Sequence, residues 1–138
     1  MEINFLVVVL GAIIAMILGA IWYGPLFGNI WLKIIGATEM DTMKRKEMQK
    51  KAMPLYLIQF ILALFQVFVL ARLTLSLSNV SALETALWLF AGFIVPTVAA
   101  SAMWNNDSRQ IAWGRFLIQA GYQLVLFVIW GFILGLWL

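Results

Sequence analysis

The 138-residue chain contains no cysteine and no histidine. Disulfides, thiolate and imidazole metal ligands, and every usual haem ligand except methionine are therefore excluded, and no cofactor is expected. Charge is also scarce. Charged residues make up 11% of the chain and hydrophobic ones 64%, whereas a soluble domain has about a quarter charged and about half apolar. No aspartate lies within a long apolar run, and the first run, Ile3–Tyr23, holds no carboxylate. Paired aspartates for intramembrane proteolysis are thus missing, as is a histidine base for a serine nucleophile. The carboxylate deep in the first span on which small proton-coupled multidrug transporters rely is absent too. An enzyme is not expected. Nor is a nucleic-acid binder, which needs a basic patch on a folded module.

What the chain does have is apolar length. A hydrocarbon core of about 30 Å is crossed by roughly 20 helical residues, and four segments qualify: Ile3–Tyr23, Pro54–Leu75, Ala82–Met103 and Ile111–Leu138. The first lacks the basic leader and small-residue cleavage pattern of a signal peptide, so it reads as a retained span. The expected fold is all-α, an integral membrane four-helix bundle with a short interfacial amphipathic helix after the first span, forming a single membrane domain over residues 1–138.

Basic residues set the expected orientation. Lys33, Lys44, Arg45, Lys46, Lys50 and Lys51 follow the first span, and Arg109 and Arg115 follow the third, against Arg72 alone on the other side. Short loops rich in Lys and Arg stay cytoplasmic, which places both termini on the non-cytoplasmic side. This bias also argues against dual-topology insertion.

The stretch "TEMDTMKRKEMQKK" has capping-box spacing at Thr38 and Asp41 and acid-first pairs at Asp41–Arg45 and Glu47–Lys51, predicting a cytoplasmic helix over about 38–52. Membrane lipids are the expected partners, with anionic head groups attracted to this basic surface by about 1 kcal/mol per cation. A topology determinant on a solvated face accounts for the same charges.

Between these elements lies "IWYGPLFGNIWLKIIG". Phe27, Ile30, Trp31, Ile34 and Ile35 form one helical stripe, with Asn29 and Lys33 opposite. A helix over 25–35 is only about 17 Å long, too short to span, and is expected to lie along the interface. Pro25 suits its first position and Gly36 its end. Trp22 and Tyr23 suit headgroup level.

Gly11, Ala15 and Gly19 repeat at four-residue spacing, as do Gly131 and Gly135, a pattern that admits close helix approach within the chain or in a homo-oligomer. Pro96 removes a backbone donor and frees the carbonyl of Gly92, predicting a kink in the third span. Arg72 and Glu84 sit about one turn either side of the short loop near Ser76–Ser81 and suggest an ion pair.

Polar side chains at lipid depth usually face inward. Gln59 and Gln66 lie on the second span, and Arg115, Gln119 and Gln123 form an i, i+4, i+8 row on the fourth, next to Tyr122. Counting helical rise, Gln66 and Gln123 share a depth of about 18 Å, and Gln59 and Arg115 lie within about 8 Å of the cytoplasmic surface. Two rows facing each other form either a polar path or dry interhelical hydrogen bonds. The first describes a subunit carrying a small solute, ion or lipid. The second describes a structural or accessory membrane subunit, and the lack of an ionisable group at mid-depth favours it.

"WYGPLFGNIW" at 22–31, Pro96, and "IQAGYQLVLFVIWGFILGLW" at 118–137 together resemble the bacterial membrane family catalogued as domain of unknown function 1761. The resemblance covers nearly the whole chain and rests on Trp22, Pro25, Gly28, Trp31, Pro96, Gly121, Tyr122 and Gly131. It implies four spans in a bacterial cytoplasmic membrane and adds no chemistry.

Overall fold

The computed structural model describes residues 2–36, 42–105 and 107–137, among which every regular element is helical. Helix α1 (Phe5–Ile21) runs into a wide π-helical turn (Trp22–Leu26) and then a short helix α2 (Gly28–Ile34). A long helix α3 (Thr42–Ser76) follows. The next apolar run is divided into α4 (Ala82–Leu89), a second wide turn (Phe90–Ile94) and α5 (Val95–Met103), and α6 (Arg109–Trp137) ends the chain. Four stretches are long and apolar enough to cross a membrane: Phe5–Leu26, Met43–Ser76, Ala82–Met103 and Arg109–Trp137.

Local chemistry explains the starts. Asn4 Oδ1 accepts from the Leu6 N–H at 3.1 Å and caps α1. Ser81 Oγ accepts from the Glu84 N–H at 3.1 Å, and Thr85 Oγ1 donates back to the Ser81 carbonyl at 2.9 Å. Capping atoms of this kind satisfy donors that the first helical turn leaves open, and Glu84 there complements the helix dipole.

Prolines account for the departures from expectation. The basic segment and the second span form one helix of 35 residues with Pro54 inside it. A proline removes only one donor, and strong helix formers on both sides carry α3 through the gap. Its length of about 50 Å exceeds a hydrocarbon core, and Lys44, Arg45, Lys46, Lys50 and Lys51 of its first turns are exposed. Thr38 and Asp41 lie outside the described residues.

The surface helix begins at Gly28, not Pro25. Pro25 instead sits in the wide turn, where the Phe27 N–H reaches back five residues to the Trp22 carbonyl at 3.0 Å. Widening the turn accommodates a ring that an ordinary helical turn would crowd. Phe27, at φ −123° and ψ 11°, makes the actual break. At the other end Gly36 takes φ 75° and donates to the Lys33 carbonyl at 3.2 Å, a left-handed closure that suits glycine. Pro96 has a similar signature: the wide turn just before it contains Gly92.

Helix α1 lies between α3 and α6, while α6 packs along α4 and α5 and receives α2 against its N-terminal half. Helix α3 packs on α4 but not along α5. The buried core gathers Val7, Val8, Ala12 and Ala15 from α1, Ala63, Val67, Leu70 and Ala71 from α3, Ala82 and Ala86 from α4, and Leu126, Phe127, Trp130 and Leu134 from α6. These residues all belong to the half of the molecule that holds the α3–α4 connection. Arg72 and Glu84 are both exposed there, and among the described residues no ion pair joins them.

Candidate functional site

Helices α1 and α6 are antiparallel and held in register by aromatic side chains that donate to backbone carbonyls. Trp130 Nε1 donates to Gly11 at 2.9 Å, Tyr122 Oη to Ala15 at 2.7 Å, and Trp22 Nε1 to Ile118 at 2.9 Å. Gly11 gives the Trp130 indole its room, since a methyl group there would stand 3.3 Å from Trp130 Nε1, while one at Gly19 would make an ordinary contact at 3.5 Å with the Tyr122 hydroxyl. The glycine stripe of the first span is therefore a packing face, and part of its complement is a set of indole and phenol groups.

Beyond the Tyr122 rung the packing opens. A cavity of about 950 Å³ lies between α1, α3, α5 and α6. Gln49, Tyr56 and Gln59 of α3 form one wall and Thr97 and Ser101 of α5 the facing wall. Gln119, Tyr122 and Gln123 of α6, with Tyr23 at the end of α1, form the floor. Among the described residues the lining has no carboxylate, amine or guanidinium. Its polar groups are amides and hydroxyls set among the apolar Ala15, Met16, Ala20 and Val98, and they can donate and accept hydrogen bonds with no net charge to offer an ion.

Four of the six sequence candidates meet in this cavity: Gln59, Gln119, Tyr122 and Gln123. Among the described residues none of the glutamines Gln59, Gln66, Gln119 and Gln123 hydrogen-bonds another, and Gln123 Oε1 is buried without a partner. Gln66 is half-buried beside the core residue Val67 and does not line the cavity. Arg115 is drawn elsewhere: its guanidinium pairs with Asp107 at 3.1 Å and lies 5.9 Å from the centre of the Trp31 ring. Trp31 meets Tyr23 edge-on at 4.9 Å, and Tyr23 lies 5.7 Å from Tyr122. Arg115 thus ties α2 to α6 and, through two aromatic contacts, fixes the cavity floor.

The rest of the polar lining carries a weaker signal in the sequence, one of spacing. Gln49 and Tyr56 fall at i and i+7 on one face of α3, Tyr56 and Gln59 at i and i+3, and Thr97 and Ser101 at i and i+4 on α5. Nothing local to Tyr23 indicated a cavity, because its place depends on the wide turn at Pro25.

A family described as "Protein of unknown function (DUF1761)" matches residues 6–135 of the chain. No curated protein and no solved structure matches it.

Proposed function

The chain belongs to this family of proteins of unknown function, and from that premise we propose that it is a non-enzymatic membrane protein whose vestibule binds an uncharged, hydrogen-bonding group. The observation that carries this reading is the cavity itself: the amides of Gln59, Gln119 and Gln123 line a shared space and do not bond each other, and Gln123 Oε1 has no partner. Dry packing would satisfy them pairwise, since an unmet buried amide is costly. An aqueous or ligand-filled vestibule satisfies them with its contents. The core around Trp130, Leu126 and Leu134 closes one end, so the space is a one-ended chamber of a solute- or lipid-handling subunit and not a through-channel.

The charge bias supports an orientation. With Lys33 and the lysines of early α3 towards the cytoplasm of a bacterial inner membrane, the vestibule lies in the cytoplasmic half and both termini face away. A cysteine at Lys46 is then expected to react only with reagents admitted to the cytoplasm, and one at Asn79 with impermeant reagents from outside. Labelling of both from the same side would reverse or break this topology.

Because the chain has no cysteine, Gln123→Cys provides a single reporting thiol. It is expected to be modified rapidly by small water-soluble methanethiosulfonates in reconstituted protein, while Leu126→Cys, in the closed core, stays inert. Equal inertness at both positions would show a dry cavity and overturn the reading.

A further inference from the structure

The vestibule has a side as well as a floor. Tyr56 and Gln59 on α3 and Thr97 and Ser101 on α5 all line it, all are exposed, and α3 does not pack along α5. Outside this gap α3 presents Leu55, Leu57, Ile58, Ile61 and Leu62, each more than half exposed. The wall is thus polar on its inner face and apolar on its outer face, at a level well inside the run long and apolar enough to span. An opening bordered in this way communicates with lipid more readily than with bulk water.

The chemistry of the lining narrows what enters. A phosphate or carboxylate held at this depth would need a cationic partner to offset its lost hydration. Among the described residues the lining has none: Arg115 is held by Asp107, and the early lysines of α3 do not line the space. Amides and hydroxyls facing each other across a gap suit a head rich in hydroxyls, each of which both donates and accepts. Resting on the vestibule reading above, we propose that the ligand is a membrane-dissolved neutral amphiphile with a polyol head, which enters sideways between α3 and α5. Its head sits against Gln59, Ser101, Gln119 and Gln123 while its acyl chain remains in lipid along α3.

The full-length protein, reconstituted in phosphatidylcholine vesicles, is irradiated with a monoacylglycerol carrying a diazirine on its acyl chain. Crosslinks are expected to concentrate on the gap-facing parts of α3 and α5 and to be displaced by unlabelled monoacylglycerol, but not by free glycerol. Ser101→Trp, which narrows the gap, and the milder pair Gln59→Leu with Gln119→Leu are each expected to lower this labelling about tenfold. Reaction of Gln123→Cys with water-soluble reagents in the Ser101→Trp background is expected to persist. Labelling spread evenly over lipid-facing positions such as Phe65 and Phe5 would overturn the proposal, as would labelling unchanged by these variants, or stronger labelling by a photoreactive phosphatidic acid. A disulfide between Ser101→Cys residues of two copies would overturn it by making the gap an interface. Each of these results leaves the vestibule reading standing if Gln123→Cys remains reactive, whereas an inert Gln123→Cys in the otherwise native protein removes that reading.

Discussion

Gly131→Ala is expected to destabilise the protein by about 2 kcal/mol, whereas Gly135→Ala, one turn further along the same helix, is expected to be neutral or stabilising by up to about 1 kcal/mol. Alanine is the better helix former at both positions, so propensity alone predicts the same sign for each. The neighbours differ. A Cβ at Gly131 would lie 2.8 Å from Leu83 Cα and 3.3 Å from Leu83 N, both backbone atoms of α4 that cannot swing aside. Helices α4 and α6 would have to separate, loosening Leu134 and Trp130 on either side of the contact. A Cβ at Gly135 would meet only Ala82 Cβ at 3.9 Å, an ordinary contact. Gly11→Ala falls between them, because it presses at 3.0 Å on the methyl groups of Val67, a side chain with some freedom to adjust. Equilibrium unfolding in mixed micelles titrated with a denaturing detergent measures all three. Equal stability of the Gly131 and Gly135 variants would mean that α4 and α6 do not approach as closely as Leu83 and Gly131 do here.

The glycines show where sequence reading stops. Four-residue spacing marked Gly11, Gly131 and Gly135 as places of close approach, but spacing does not name the partner, which is α4 for Gly131 and both α3 and α6 for Gly11. The four apolar runs were legible because their length is a response to the solvent, and among the described residues four helical stretches are long and apolar enough to span. The prolines were legible as interruptions but not in kind: Pro25 and Pro96 lie in or beside widened turns, and Pro54 lies inside the continuous helix α3. The glutamine rows were half legible for a geometric reason. Helical rise sets depth, but residues four apart also rotate by about 40° around the axis, so a row of three drifts by about 80°. Gln119 and Gln123 remain on the cavity side while Arg115 turns towards Asp107 and Trp31. The bonds from Trp22, Tyr122 and Trp130 to backbone carbonyls had no local signature, because each depends on the register of a distant helix.

Trp130→Ala is expected to be the most damaging single truncation in the chain, destabilising it by about 3 kcal/mol and opening the closed end of the vestibule. Trp130 is among the largest fully buried side chains, only 1% exposed. Its ring lies 5.3 Å from that of Phe127, and its indole N–H reaches the Gly11 carbonyl at 2.9 Å. In lipid the driving force of transfer from water drops out, so what is lost is dispersion contact and the hydrogen bond, which keeps the figure at the lower end of the range for aromatic truncation. Trp130→Phe separates the two contributions. It retains most of the volume and removes the donor, while the Gly11 carbonyl stays within its own helix ladder, so it should destabilise by only about 0.6–1 kcal/mol. The functional consequence follows from position. Leu126, one turn before Trp130 on α6, is buried beside Tyr122 of the vestibule floor, and Trp130 backs it from the closed side. With the indole gone, Leu126→Cys should change from inert to reactive towards the same small thiol reagents that reach Gln123→Cys, and in the Trp130→Phe background it should stay inert. Reactivity unchanged by Trp130→Ala would mean that this ring stabilises the α1–α6 contact without sealing the chamber.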